Sequence, residues 1–237
     1  MISDKKLNII TVAIILILTL GVACVCFLPN KVALISGGKP YEPIYNGNRS
    51  QNTVAITFNL YENAEIVEGI LKVLNQKNAK ATFFLGGCWA DDNIPLVIKI
   101  LEQGHEIGSH GYFHKDHAKL SESENRAELS LLHDLIKRET GYDITLFAPP
   151  SGSFSVKTLK VAQNMGYKTI MWTKDTVDWR DKSSKTVYNR ATKNISGGDI
   201  VLMHPKEHTL AALPDILDYY ESQGLSVVTV SECIGEI

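Results

Sequence analysis

The sequence is short of cysteine and of any excess of charge. Four cysteines in 237 residues are too few for the disulfide framework that holds small secreted domains together. The formal net charge is −2 and the pI is about 6.4, so the chain has no basic field that would attract nucleic acid. We therefore expect no nucleic-acid partner, and we expect a monomer.

Long apolar stretches are also scarce, with one exception near the start of the chain. Residues 7–28 carry no charged side chain and match the roughly 20 residues that span a hydrocarbon core. Lys5 and Lys6 precede them, which favours a cytoplasmic tail at residues 1–6. We expect a single-pass anchor in the cell membrane, with the rest of the chain on the extracytoplasmic side. A cleaved signal peptide stays open because residues 21–23 are small, although the apolar run continues to Leu28.

Beyond the apolar run, residues 29–52 have the glycine, proline and asparagine content of a linker or lead-in, and the folded domain is expected at residues 53–237. Short apolar runs then alternate with helical patterns, which predicts a parallel α/β sheet, either open or closed into a barrel. Ligands bind at the carboxyl ends of such strands. The strand candidates are residues 54–58, 81–85, 105–109, 145–147, 168–172, 199–203 and 226–230.

Histidines and aspartates follow several of these strands. His110 and His114 are four residues apart after the third strand, a spacing that allows two imidazoles to bind zinc or another divalent ion. Two histidines alone are a weak signal, since most such pairs are ordinary loop residues. His204 follows the sixth strand and Asp175 the fifth, and an aspartate can orient a histidine that acts as a general acid. Taken singly, Asp175 could equally cap a loop.

Other residues near the strand ends have two interpretations each. Pro149 and Pro150 could stiffen a loop beside a cleft or could mark a simple turn, and Trp179 could be packing. An exported domain could join Cys88 to Cys233, but two unpaired thiols are at least as compatible with the sequence.

Together these segments resemble the polysaccharide deacetylases of carbohydrate esterase family four, the NodB homology domain. The resemblance runs from Thr53 to the end of the chain, and residues 81–85 and 104–114 closely match that family's sequence motifs. It implies a distorted (β/α) barrel, a cell-wall glycan substrate and a divalent metal ion, zinc above all. The anchor and lead-in look most like the sporulation-associated branch.

By the same resemblance, individual residues acquire roles. His110 and His114 would be metal ligands, His204 the general acid, and Asp175 the residue that orients it. The predicted substrate-binding residues, in part a pocket for the acetyl methyl group, are Trp179, Leu202, Pro149 and Pro150.

The chain departs from the family at the residues that complete the reaction. Asn59 and Leu60 stand where the family has two aspartates, the catalytic base and a metal ligand, and Ala148 stands where it has the arginine paired with that base. Loss of a general base costs about 10²- to 10⁴-fold in rate. Two rescues remain open: Glu62 could act as base or third ligand, or Asn59 could ligate weakly. Glu62 could instead be a solvated residue near a helix start.

Two functions follow from this mixture of retained and lost residues. One is metal-dependent hydrolysis of N-acetyl groups on cell-wall polysaccharide, most plausibly peptidoglycan, working slowly or with a rearranged base. The other is a catalytically inactive protein that binds glycan or positions wall enzymes with the same cleft.

Overall fold

The computed structural model describes residues 41–235. The predicted cytoplasmic tail, the anchor and most of the linker lie outside these residues and stay predictions. Within residues 41–235, no helix is both long and apolar enough to cross a membrane.

Eight strands form one parallel sheet in the described part of the chain. They run in the order β5-β4-β3-β2-β1-β7-β6, and β8 pairs with the first residues of β1. The strands are β1 (Thr53–Leu60), β2 (Thr82–Leu85), β3 (Glu106–Ser109), β4 (Leu146–Phe147), β5 (Lys168–Thr169), β6 (Lys174–Asp175), β7 (Ile200–Met203) and β8 (Ser226–Val228). The seven predicted strands are therefore all present, and the two-residue β6 is the addition that the sequence pattern was too short to reveal.

The sheet curls without closing. Strand β1 lies at its centre and pairs with β2, β7 and β8, whereas β5 and β6 at the two ends are not paired with each other in the described residues. The architecture is thus a curled parallel half-barrel. The barrel that the resemblance implied is present in this partly open form.

Helices pack around the sheet in the described residues. They are α1 (Ala64–Gln76), α2 (Gly87–Asp92), α3 (Ile94–Glu102), α4 (Glu122–Thr140), α5 (Val156–Asn164), α6 (Ser184–Thr192), α7 (Glu207–Ser222) and α8 (Val230–Ile234). Their ends follow local chemistry: Ser121 and Glu124 form a capping box at the start of α4, and Gly104 ends the turn after α3 with φ of 75°.

Strand β1 is buried on both faces, as expected for the central strand of a parallel sheet. Phe58 and Leu60 point into the main core against the helices, whereas Ala55 belongs to the smaller cluster inside the curl. The two faces alternate along the strand because successive side chains point to opposite sides. This alternation decides which residues at the end of β1 can reach the cleft.

The described part of the lead-in packs against the domain. Ile44 bridges Ile170 beside the sheet, and the guanidinium of Arg49 lies 2.7 Å from the carboxylate of Asp199. The two cysteines of the domain do not form a disulfide. Cys88 and Cys233 are both free, the first exposed and the second buried.

Candidate active site

A cavity of about 400 Å³ lies at the carboxyl ends of the strands, where ligands bind in this class of sheet. Its lining residues are Asn59, Tyr61, His110, His114, Ser151, Gly152, Trp172, Asp175, Trp179, Leu202 and His204. A larger depression of about 590 Å³ lies between α6 and α7, but no histidine lines it. The smaller cavity is lined by the predicted histidines and by Asp175, and it is therefore the candidate site.

His110 is held in a fixed orientation at the end of β3. Its Nδ1 donates a hydrogen bond of 2.7 Å to the carbonyl oxygen of Ala148, which leaves Nε2 free to act as a ligand. The residue is 1% exposed, and burial, with the nearby His114, lowers the pKa of its imidazole to about 3. His110 is consequently neutral at physiological pH, the state that metal binding requires.

The loop that carries His114 is organised from below by Glu128 of α4. The buried Glu128 carboxylate accepts hydrogen bonds from the backbone amides of Tyr112 and Phe113, both at 2.8 Å. Gly111 adopts φ of 74° just beneath this carboxylate, and His114 itself has φ of 54°. A non-glycine residue in this region costs free energy, which the surrounding contacts must offset.

His110 and His114 have the mutual spacing of a metal pair. A zinc ion about 2 Å from a ring nitrogen lies about 3 Å from the ring centre, so two ligating rings have centres about 5 Å apart. The two ring centres are 5.0 Å apart. However, no group of three His, Cys, Asp or Glu residues in the described part of the chain could hold an ion, and catalytic zinc has three protein ligands. The residues present therefore do not fit a tightly held metal.

At the end of β1, Leu60 has no ligand atom with which to complete the pair of histidines. The pairing of β1 with β2 continues to Leu60 opposite Leu85, so Leu60 stays in the strand and is 0% exposed in the apolar core. Asn59 and Tyr61, on the other face, line the cavity. The Oδ1 atom of Asn59 is buried and has no hydrogen-bond partner in residues 41–235.

Tyr61 places its ring among the three cavity histidines. The ring centre lies 4.7 Å from that of His114, 6.4 Å from that of His110 and 6.1 Å from that of His204. Burial, together with the charges of Glu62 and Asp178, raises the pKa of the Tyr61 hydroxyl, so this phenol is a poor replacement for the missing base.

His204, after β7, is paired with Asp178. Its Nδ1 donates to Asp178 Oδ1 at 2.7 Å, and its backbone amide donates to Oδ2 at 2.7 Å. Thr209 also donates to Oδ2, at 2.6 Å. Burial alone would raise the pKa of Asp178, but the hydrogen bond and charge of His204 and the bond from Thr209 outweigh it and leave the pKa below its usual value. Asp178 is therefore an ionised carboxylate that fixes the imidazole.

The prediction that Asp175 orients His204 is wrong in this geometry. Asp175 lines the cavity, but its carboxylate accepts a hydrogen bond from the backbone amide of Val177 at 2.7 Å and so caps its own loop. The loop turns at Val177, where φ is 52°, and brings Asp178 beneath the histidine. The position of Asp178 directly before Trp179 was the available signal, but the sequence does not show which of two aspartates three residues apart faces inward.

The remaining predicted residues divide between the cavity and its surroundings. Trp179, which is 53% exposed, and the buried Leu202 line the cavity. Pro149 and Pro150 are buried beside it, and the residues that line it are instead Ser151 and Gly152, which follow them in the chain. Their predicted direct contact with substrate is therefore not supported by this geometry.

Glu62 does not reach the cavity either. Its carboxylate is ion-paired with Lys206, and it is absent from the cavity lining. The rescue in which Glu62 serves as base or third ligand is thus contradicted by its position.

Comparison with known proteins decides the family. Residues 46–170 match the family described as Polysaccharide deacetylase. The chain belongs to that family. Among curated relatives, YlxY of Bacillus subtilis, an uncharacterized protein, is 36% identical over 82% of this chain and 61% of its own length. A peptidoglycan-N-acetylglucosamine deacetylase of Bacillus cereus is 33% identical over 80% of this chain and 71% of its own length.

A solved member of the family shares the overall structure. BA3943 of Bacillus anthracis, described as a CE4 family pseudoenzyme, superposes with a TM-score of 0.80 at 35% identity, over 84% of this chain and 70% of that one. A mutant of BA3943 is described as having restored enzymatic activity. This polysaccharide deacetylase chain is therefore similar both to a named enzyme and to a pseudoenzyme.

Proposed function

We propose that this chain recognises N-acetylated peptidoglycan strands in the cleft and retains slow N-deacetylase turnover at most. The observation that carries the proposal is the His204–Asp178 pair, which faces a cavity lined by Trp179 and Leu202. The Asp178 carboxylate fixes the orientation of the imidazole, and His204 lines the cavity. The homologous peptidoglycan deacetylase of Bacillus cereus supports the choice of substrate.

The residues present supply one half of an amide hydrolysis. With Nδ1 donating to Asp178, the Nε2 atom of His204 is available to give a proton to the departing amine nitrogen. Asn59, at the base position, cannot remove a proton from water at neutral pH. A divalent ion, when bound, would polarise the acetamide carbonyl, but two imidazoles hold such an ion weakly.

A specific observation favours glycan binding without hydrolysis as the second candidate. The ring of Tyr61 lies among the three cavity histidines, where a reacting acetamide and its nucleophile would need space. The likeness to BA3943, described as a pseudoenzyme, supports the same candidate.

One experiment tests the proposal and separates its two forms. The full-length chain would be assayed for binding to chitotetraose and to peptidoglycan fragments, and for acetate release with added Zn²⁺ or Co²⁺. Binding with slow acetate release that disappears in His204→Ala supports the residual enzyme, and binding without release supports the second candidate. Failure of a folded chain to bind either glycan would contradict both.

We also propose that residues 7–28 anchor the chain in the cell membrane, with the deacetylase-like domain on the outer side. The support is the length of the apolar run and the wall substrate named for the Bacillus cereus relative. Release of the domain by protease added to intact protoplasts is the expected result. Protection from protease until lysis would contradict it.

A further inference from the structure

Asp175 gives the cavity a carboxylate that forms no ion pair within the described part of the chain. It lines the cavity and accepts one hydrogen bond, from the backbone amide of Val177 at 2.7 Å. Arg180 feels the charge of Asp175, but its guanidinium is bound to both carboxylate oxygens of Asp181, at 2.8 and 3.0 Å. No lysine or arginine of residues 41–235 lines the cavity. A ligand that brings a positive charge is therefore complementary to this wall.

Three aromatic side chains, Tyr61, Trp172 and Trp179, line the same cavity. The faces of such rings attract an ammonium group, and they also pack against apolar faces such as those of a sugar ring. The ring of Tyr61 already lies among the cavity histidines, with its centre 4.7 Å from that of His114. A sugar amine needs little of the space that remains, whereas an N-acetyl group adds a carbonyl and a methyl group.

Two hydrogen-bond acceptors at the cavity await a donor. Asn59 is 4% exposed and belongs to the lining, and its buried Oδ1 atom has no hydrogen-bond partner in residues 41–235. The Nε2 atom of His110 is free because Nδ1 donates to the carbonyl oxygen of Ala148. An ammonium group offers only N–H donors and so matches both atoms. The carbonyl oxygen of an acetamide is itself an acceptor and matches neither.

We propose that the cavity seats a de-N-acetylated glucosamine unit of the glycan and recognises its ammonium group through Asp175, Asn59 and the aromatic lining. At this position the chain binds the product of N-deacetylation in preference to the N-acetylated substrate, while neighbouring units of the strand keep their acetyl groups. The inference rests on the proposed function for the glycan itself, and it deepens that function by naming the sugar unit.

The test is titration calorimetry of the full-length protein at neutral pH with two oligosaccharides, chitotetraose and its fully de-N-acetylated counterpart, a tetramer of glucosamine. The glucosamine tetramer is expected to bind at least about 10-fold more tightly, because a hydrogen bond to a charged group contributes at least that factor. Asp175→Asn retains an oxygen for the Val177 amide but removes the charge, so the preference should fall below about 3-fold. Tyr61→Ala opens space for the acetyl group and should increase the affinity for chitotetraose.

Two controls make the test specific. Asp215→Asn is the same chemical change at an exposed aspartate of α7, outside the cavity, and should leave the preference intact. A peptidoglycan stem peptide with a free side-chain amine and no sugar should bind at least about 10-fold more weakly than the glucosamine tetramer, because it lacks the sugar ring. A peptide that binds as tightly as the tetramer would show that the site reads any amine, and would overturn the assignment to glucosamine.

Two further outcomes would overturn the inference. One is equal or tighter binding of chitotetraose by the wild-type chain, and the other is a glucosamine preference that survives unchanged in folded Asp175→Asn and Tyr61→Ala proteins. Either result leaves the proposed function standing, since the chain still binds the glycan. Failure of the folded wild-type chain to bind both tetramers and peptidoglycan fragments would instead contradict the proposed function.

Discussion

Asp178 lies beneath His204 and accepts both its Nδ1 hydrogen and its backbone amide hydrogen, each at 2.7 Å. We expect Asp178→Asn to lower the free energy of unfolding by roughly 2–4 kcal/mol, because it breaks a buried charge-assisted network. Asp175→Asn, whose carboxylate caps an accessible loop, should cost less than about 1 kcal/mol. Urea unfolding measures both.

A spectroscopic signature distinguishes the orienting role of Asp178 from simple stabilisation. The proton shared between His204 Nδ1 and Asp178 should give a downfield NMR resonance in the wild type and in Asp175→Asn. It should be absent in Asp178→Asn. An unchanged resonance in Asp178→Asn would show that Asp178 does not hold the imidazole.

Position 111 requires glycine for two reasons, its positive φ angle and the lack of space for a Cβ atom. A Cβ at this position would lie 2.9 Å from His117 Nε2 and 3.1 Å from Glu128 Oε2, and φ is 74°. Gly141 has the same backbone conformation, with φ of 76°, but a Cβ there meets nothing within 4 Å. We expect Gly141→Ala to cost about 1 kcal/mol from strain and Gly111→Ala about 1–3 kcal/mol more. Equal losses in thermal unfolding would refute the steric argument.

Buried His105 should make the fold sensitive to moderate acid. Burial, assisted by Lys80, lowers the pKa of His105 to about 4, so the folded state binds fewer protons than the unfolded state between about pH 6.5 and 4. This contribution, up to about 3 kcal/mol, is complete above pH 6.5 and is lost as the pH falls toward 4. In His105→Asn, the free energy of unfolding, measured relative to the value for the same variant at pH 8, should fall less between pH 6.5 and 4 than in the wild type. An unchanged slope would indicate that His105 is not the titrating group.

Asparagine is chosen to replace His105 because its side-chain oxygen can accept a hydrogen bond. The backbone amide of Ala81 donates such a bond to His105 Nδ1 at 3.2 Å in the wild type. Wild type and variant should therefore be compared by the pH dependence of unfolding, not by stability at a single pH.

Trp179 offers a direct test of glycan recognition. It is 53% exposed at the cavity, so Trp179→Ala should leave stability within about 0.5 kcal/mol of wild type. Loss of the indole ring should weaken chitotetraose binding by about 5- to 10-fold, roughly 1–1.4 kcal/mol. Tyr45→Ala, an exposed aromatic outside the cavity, should not change binding. Equal affinity of all three proteins in calorimetry would count against this cleft.

The sequence predicted the strands well because they depend on local chemistry. Helix ends depend on local chemistry too: the Ser121 capping box and the left-handed turn at Gly104 need only near neighbours in the chain. The same holds for His110 and His114, which emerge from a recognisable strand end.

The errors concern residues whose direction is set by distant contacts. Asp178, and not Asp175, pairs with His204 because the backbone turns at Val177. Glu62 is held away from the cavity by its ion pair with Lys206, 144 residues further along the chain.

We infer that missing side chains, and not the fold, limit hydrolysis in this cleft. The appropriate variant combines Asn59→Asp, Leu60→Asp and Ala148→Arg, at the three positions where the chain departs from the family. BA3943, which is similar to this chain, has a mutant described as having restored activity.

Acetate release from peptidoglycan fragments by this triple variant, compared with the wild type at equal Zn²⁺, is the most direct measurement. We expect a gain of at least about 10²-fold, the lower end of what a general base contributes. A folded, glycan-binding and metal-loaded triple variant that releases acetate no faster than the wild type would contradict it.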